Sequence, residues 1–184
     1  MIRPVPSIRA RRLIGEEGTI EVFVADEQSA HPVDVARWEA LAVDVLARQG
    51  VTGDAELAVL FVDEPSIAEL NERFMDAQGP SDVLAFPIDD DDVLTGRSPD
   101  ASSAGPDRQP NDEVPLLLGD VVICPSVAAR NAPTHAGTYE DELALLLVHG
   151  ILHVLGMDHA TDAEAAEMQA RERALLDEFH RGDR

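Results

Sequence analysis

Apolar positions along this chain fall into blocks whose repeat switches between two and 3.6 residues, so strands and helices can be read in alternation. Thr19 to Ala25 alternates, with Ile20, Val22 and Val24 on one face, which predicts a strand. From Pro32 to Gln49 the residues Val35, Trp38, Leu41, Ala42, Val45 and Leu46 follow helical spacing, and Gly50 marks the stop. Glu56 to Val62 is a short apolar run suited to a buried strand. A helix from about Pro65 to Phe74 follows it, until Gly79 and Pro80 break the pattern. Val83 to Phe86 and Leu116 to Cys124 read as two further strands, the second leading into a short helix from Ser126 to Asn131. The helix from Tyr139 to Leu155 is apolar nearly all round, which predicts central burial. Thr161 and Glu164 have capping-box spacing at the head of a last helix that runs to about Phe179.

This interleaving predicts an α+β fold in which a small mixed sheet of four strands packs with helices around the central Tyr139–Leu155 helix. Residues 1–18 lack periodicity and are expected to form a flexible extension, leaving 19–181 as a single domain. The stretch from about 88 to 115 is rich in Asp, Ser, Pro and Gly and is expected to be an acidic loop insertion. A chain of 184 residues is short for two full domains and long enough to bury one sizeable core. The single cysteine, Cys124, excludes an internal disulfide, and neither a secretory segment nor an apolar run of about 20 residues appears. The expected address is the cytoplasm, with no membrane partner.

The formal charge of −22 changes the picture. Nucleic-acid binding normally depends on basic groups that displace counterions from phosphates, so any such role must rest on a local patch. All 14 cationic residues are arginine. Arg3, Arg9, Arg11 and Arg12 make the first dozen residues locally basic, as either a frayed arm or a phosphate-binding tail.

The candidate chemistry lies in the apolar helix. Of six histidines, three fall within His149 to His159. Residues four apart lie one turn apart on the same helical face, so His149 and His153 can direct two imidazole nitrogens at one metal ion. Gly156 can take the left-handed conformation that ends a helix and turns the chain back, bringing His159 to a third corner. A single histidine on such a helix would read as a hydrogen-bonded core residue. Burying two without partners, however, costs on the order of 1–3 kcal/mol each, a cost that a shared cation removes. Three imidazoles with one vacant position describe a catalytic zinc site better than a closed structural one. The spacing His-x-x-x-His-x-x-Gly-x-x-His also occurs in metzincin proteases, but their second residue is a glutamate base and here it is Gly150.

The full run His149, Gly150, Leu152, His153, Gly156, Asp158 and His159 resembles the signature of the YbeY family of bacterial endoribonucleases. Leu70-Asn71, Ser81 to Pro87, Leu118-Gly119-Asp120 and the segment from Asp162 to Met168 extend the resemblance over roughly Glu56 to Leu176. It implies a zincin-like, zinc-dependent nuclease acting on single-stranded RNA in the 3′-end maturation of small-subunit (16S) ribosomal RNA and in ribosome quality control. On this reading His149, His153 and His159 carry one Zn2+ per chain, and ribosomal RNA and the ribosome or its proteins are the partners. Two positions depart from the pattern. Met75 stands where many members have arginine, leaving Arg73 as the nearest cation, usable only if the segment is extended there; Ala85 replaces a serine. Asp158 is a candidate to orient an imidazole or act as a base, or else to cap backbone amides. Glu142, seven residues before His149, shares its helical stripe, or is a first-turn glutamate favoured by the helix dipole. Cys124 reads as core, and His31, His135 and His180 as solvated. Two alternatives remain: another zinc metallohydrolase such as a peptidase, and a non-catalytic ribosome maturation factor with structural zinc.

Overall fold

The computed structural model describes residues 7–15 as backbone, and 18–88 and 115–181 in full. Strands β1 (Ser7–Gly15) and β2 (Gly18–Asp26) lead into helix α1 (Val35–Arg48), strand β3 (Ala55–Phe61) and helix α2 (Glu64–Met75). Strands β4 (Val83–Pro87) and β5 (Leu116–Ile123) follow. After them come the short helix α3 (Pro125–Asn131), a 3-10 turn over Ala132–Thr134, helix α4 (Tyr139–Val154) and helix α5 (Asp162–Phe179). The α+β class and the four expected strands are all present.

The sheet has the order β1-β2-β3-β5-β4. Its centre is parallel, β2 with β3 and β3 with β5, while β1 and β4 run antiparallel at the edges. Period-two alternation sorts the two faces. Leu57, Val59, Phe61, Val121 and Ile123 face the main core with α1, α4 and α5, whereas Val122 and Leu84 join Ile67 of α2 and Cys124 on the other side. The buried run on α4 includes Leu143, Leu147, Val148, Ile151 and Leu152, all at most 1% exposed, so the histidine-bearing helix is held by packing on both flanks.

β1 is an addition to the expected sheet and, for residues 7–15, corrects the reading of residues 1–18 as a flexible extension. Its arginines interrupt the apolar alternation, yet an edge strand needs only backbone partners, and Ser7 through Gly15 pair in register with Asp26 through Gly18. The Gly15–Gly18 pair leaves two residues between the strands, the shortest common hairpin connection. Gly18 is required there: its φ is +134°, and a Cβ would lie 2.2 Å from the Gly53 carbonyl carbon. Apart from its ends, the expected acidic insertion at 88–115 lies outside the described residues. Among the described residues no helix is long and apolar enough to cross a membrane.

The last helix starts as its sequence predicts. Thr161 Oγ1 accepts the Glu164 backbone N–H at 3.3 Å, and Glu164 Oε2 accepts that of Thr161 at 2.9 Å. This fixes the origin of α5, the helix that closes over the histidines.

Candidate metal centre

α4 presents His149 and His153 on successive turns and ends in a left-handed turn that redirects the chain. Gly156 has φ +88°; its N–H donates to the His153 carbonyl at 2.9 Å, and the Met157 N–H to the Leu152 carbonyl at 2.9 Å. These are the two bonds of a Schellman closure. Three residues beyond Gly156, His159 swings back over the helix end. Its ring centroid lies 4.9 Å from that of His153 and 5.8 Å from that of His149.

Nε2 of His149 and Nε2 of His153 are 3.1 Å apart, and one ligand nitrogen from each of the three rings lies within 4.8 Å of the others. Two nitrogens bound tetrahedrally to one ion at 2.0–2.1 Å would be separated by about 3.3 Å. The first pair therefore already has ligand spacing, with His159 set slightly wider. The donor chemistry fits as well. His149 Nδ1–H donates to Glu172 Oε1 at 2.7 Å, which leaves the Nε2 lone pair facing His153. Burial, with His149 and His159 adding to it, holds the His153 pKa below its ordinary value and so favours the neutral imidazole that a metal requires. His159 is exposed, so the cluster opens to solvent on that side. The three rings can hold a metal ion.

Gly150 lies between the two histidines for a packing reason. A Cβ there would sit 2.5 Å from Val121 Cγ1 on β5 and 3.4 Å from Val83 Cγ2 on β4. The position that would carry a glutamate base in a metzincin has no room for a side chain, since the helix rests directly on the sheet.

Other candidates take distinct places. Asp158 Oδ1 accepts the His159 backbone N–H at 2.7 Å, bracing the turn that carries the third ligand. Glu142 is fully buried on α4 and is taken up by the preceding loop: His135 Nδ1–H donates to it at 2.9 Å and the Ala136 N–H at 3.1 Å. Arg73 is exposed on α2, its guanidinium 5.2 Å from the Phe74 ring centre, and that segment is helical to Met75, not extended. Met75 and Ala85 line a groove that ends at Gly150 and His153.

Glu172 is a site residue that sequence reasoning missed. It occupies a helical stripe of α5 with Met168, Leu175 and Leu176 and is 8% exposed. An acidic residue on the apolar stripe of an amphipathic helix was the available signal, since a buried carboxylate needs a partner. His180, expected to be solvated, is buried. Arginine can only donate, so its Nδ1 accepts from Arg37 at 3.2 Å while Nε2–H donates to Asp141 at 2.8 Å, and its ring stacks on Trp38. His135 has a 59% exposed side chain but is tied to Glu142.

Residues 23–180 match the family model described as Endoribonuclease YbeY. A protein named Endoribonuclease YbeY from Beutenbergia cavernae is 46% identical over 155 residues, covering 84% of this chain and 95% of the relative. One of the same name from Salinispora tropica is 45% identical over 157 residues, covering 85% and 94%. The solution structure of TM1509 from Thermotoga maritima shares the fold, with a TM-score of 0.51 at 23% identity over 89% of this chain and 93% of that one. With a converging histidine triad and near full-length likeness to these relatives, the chain belongs to the YbeY endoribonuclease family.

Proposed function

We propose that this chain is a zinc-dependent endoribonuclease that cleaves single-stranded ribosomal RNA in the cytoplasm. Its role would be in 3′-end maturation of the small-subunit (16S) RNA and in ribosome quality control, with residues 19–181 forming the catalytic domain and β1 completing its sheet. The observation that carries the reading is the 3.1 Å approach of two imidazole nitrogens on one buried helix, with a third ring closing over them, in a chain of this family.

His149, His153 and His159 would hold the ion, which when bound supplies a Lewis acid for a phosphoryl oxygen and lowers the pKa of a water toward about 7. The rest of the chemistry falls to the chain. Glu172 fixes the His149 ring and its tautomer, and Asp158 positions His159 through the backbone of its turn. Glu142 acts one step further out, anchoring His135 at the edge of the cleft beside His149 and His159. Arg73, held against Phe74 on α2, has no part in this mechanism. A peptidase built on the metzincin plan is disfavoured by the packing at Gly150, which excludes a glutamate base.

The test is metal analysis of purified protein coupled to cleavage of single-stranded RNA, duplex RNA and casein, beside His153→Ala. One zinc per chain and single-strand RNA cleavage lost in the variant are expected. RNA cleavage that persists in metal-depleted His153→Ala, or inert zinc-loaded protein that still binds ribosomes, overturns the nuclease reading. The second outcome would leave a structural-zinc maturation factor in its place.

A further inference from the structure

The histidines open on two sides of different character. Toward β4 the groove is apolar, lined by Met75, Val83, Ala85 and Pro87 beside His153. Toward α5 lies a larger cleft of about 580 Å³, bordered by His149, His159, Gln169, Glu172, Arg173 and Arg181. That volume is within the roughly 300–1,000 Å³ range of small-ligand clefts.

Its charge inverts that of the chain. Acidic residues outnumber basic ones 36 to 14 overall, yet this cleft has two arginines and one carboxylate, and that carboxylate, Glu172, accepts from His149. Helical geometry explains why an arginine is left available. On α5 the nearest acid to Arg173 one turn on is Asp177, and Asp177 Oδ1 accepts from Arg181 Nη1 at 2.9 Å instead. Among the described residues Arg173 makes no ion pair. Arg181, at 46% side-chain exposure, keeps most of its donors free, because one guanidinium nitrogen serves Asp177 and the fork carries five N–H groups.

We infer that Arg173 and Arg181 form a phosphate-binding subsite that holds the backbone of single-stranded RNA on the α5 side of the metal centre, leaving the Met75 groove to an apolar surface such as a nucleobase. The inference rests on the endoribonuclease reading and deepens it. Guanidinium groups suit the role because their planar forks pair with phosphate oxygens through two parallel hydrogen bonds. The subsite also answers the problem set by Met75: where a cation is missing on one flank of the histidines, two are present on the other.

The test uses zinc-loaded wild type, Arg173→Ala, Arg173→Lys, Arg181→Ala and the double alanine variant. Arg171→Ala is the control, because Arg171 faces a different cleft with Gln49 and Leu155. KM and kcat are measured on a labelled single-stranded RNA, and binding of a 2′-O-methyl strand by anisotropy, from 50 to 200 mM salt. The expected result is a rise in KM and Kd of about tenfold per arginine removed, with kcat, zinc content and Tm little changed. The slope of log Kd against log salt should flatten by about 0.7 for each phosphate that is no longer neutralised. Lysine at 173 should restore part of the binding, and Arg171→Ala should match wild type. A double variant with wild-type KM, Kd and salt slope, in a protein whose wild type cleaves RNA, overturns the subsite and leaves the nuclease intact. A wild type that neither binds nor cleaves single-stranded RNA removes both.

Discussion

Replacing Gly150 by alanine tests how tightly the histidine helix is seated on the sheet. The added Cβ would lie 2.5 Å from Val121 Cγ1 and 3.3 Å from its Cγ2. Carbon atoms prefer about 3.5–4.0 Å, so either α4 moves by about 1 Å or Val121, fully buried on β5, leaves its rotamer. Overpacking of this kind costs about 1–3 kcal/mol, and the shortness of the approach places it toward the upper end. Against it stands the gain of about 1 kcal/mol from alanine over glycine inside a helix. The net expectation is a destabilisation of about 1–2 kcal/mol, or a Tm lower by about 2–8 °C for a chain of this size. Urea or thermal unfolding of the metal-free protein measures it. The decisive control is a double-mutant cycle with Val121→Ala, which alone forfeits about 1.5–3 kcal/mol of buried methyl packing. In the double variant the new methyl at 150 occupies part of the space vacated at 121, so the combined destabilisation should fall short of the sum by about 1–2 kcal/mol. Additivity within about 0.5 kcal/mol would refute the clash, and with it the explanation of why no side chain stands between the two histidines.

Glu172→Ala should weaken metal affinity by about 10- to 100-fold in a chelator competition, and Glu172→Gln, which keeps an acceptor for His149 Nδ1–H, should weaken it less; an unchanged affinity in the alanine variant refutes the orienting role. His153 gives a pH signature with a definite sign. Because its folded pKa lies below the ordinary 6.5, the unfolded chain takes up the proton first. The stability this group supplies is therefore whole above pH 6.5 and is lost as pH falls through the folded value. Thermal scans of metal-free protein from pH 7.5 to 5 should show a steeper decline than those of His153→Gln, and equal slopes contradict the assignment. Tyr139, the chain's one tyrosine, has its phenol pushed up to about 12, by burial first and then by the charges of Asp26 and Glu140. Spectrophotometric titration should find no phenolate near pH 10 while the fold persists, with stability falling between pH 10 and 12; a midpoint at 10 in folded protein would count against that environment.

What the sequence revealed and what it hid divide by the range of the interactions. The ligand helix, the Gly156 turn and the Thr161–Glu164 cap are written within a few residues, where helical period, left-handed glycine and side-chain reach decide the geometry. β1 was hidden because an edge strand is held by backbone bonds to β2, and its arginines erase the alternation that announces a buried face. Glu172 lies 23 residues from the imidazole it orients, and His180 lies 143 from Arg37, so neither partner could be paired from spacing alone. Both nonetheless left a trace, a polar residue at or next to the apolar stripe of α5. Arg73 shows the converse: helical period alone places it away from the Met75 face, and with α2 regular to Met75 it stays on the outside.

The acidity of the chain and an RNA substrate are compatible for a reason of length scale. At physiological salt a charge is screened over about 8 Å, so a phosphate in the cleft feels the groups that line it far more than the sum over the surface. Those groups are the arginines at 173 and 181, one carboxylate engaged by His149, and the imidazoles of His135, His149 and His159, the last two belonging to the triad that can hold a metal ion. The net charge of −22 then acts on approach and not on the bound complex: it slows encounter with any polyanion at low salt, where screening is weakest, and disfavours binding away from the cleft. On the proposed function, a strand that can thread single bases past the histidines would benefit from this local attraction, whereas a duplex would meet mainly the repulsive surface. Selectivity for single-stranded RNA should accordingly be greatest at low ionic strength and narrow as salt rises, the reverse of what a uniformly basic nuclease would show.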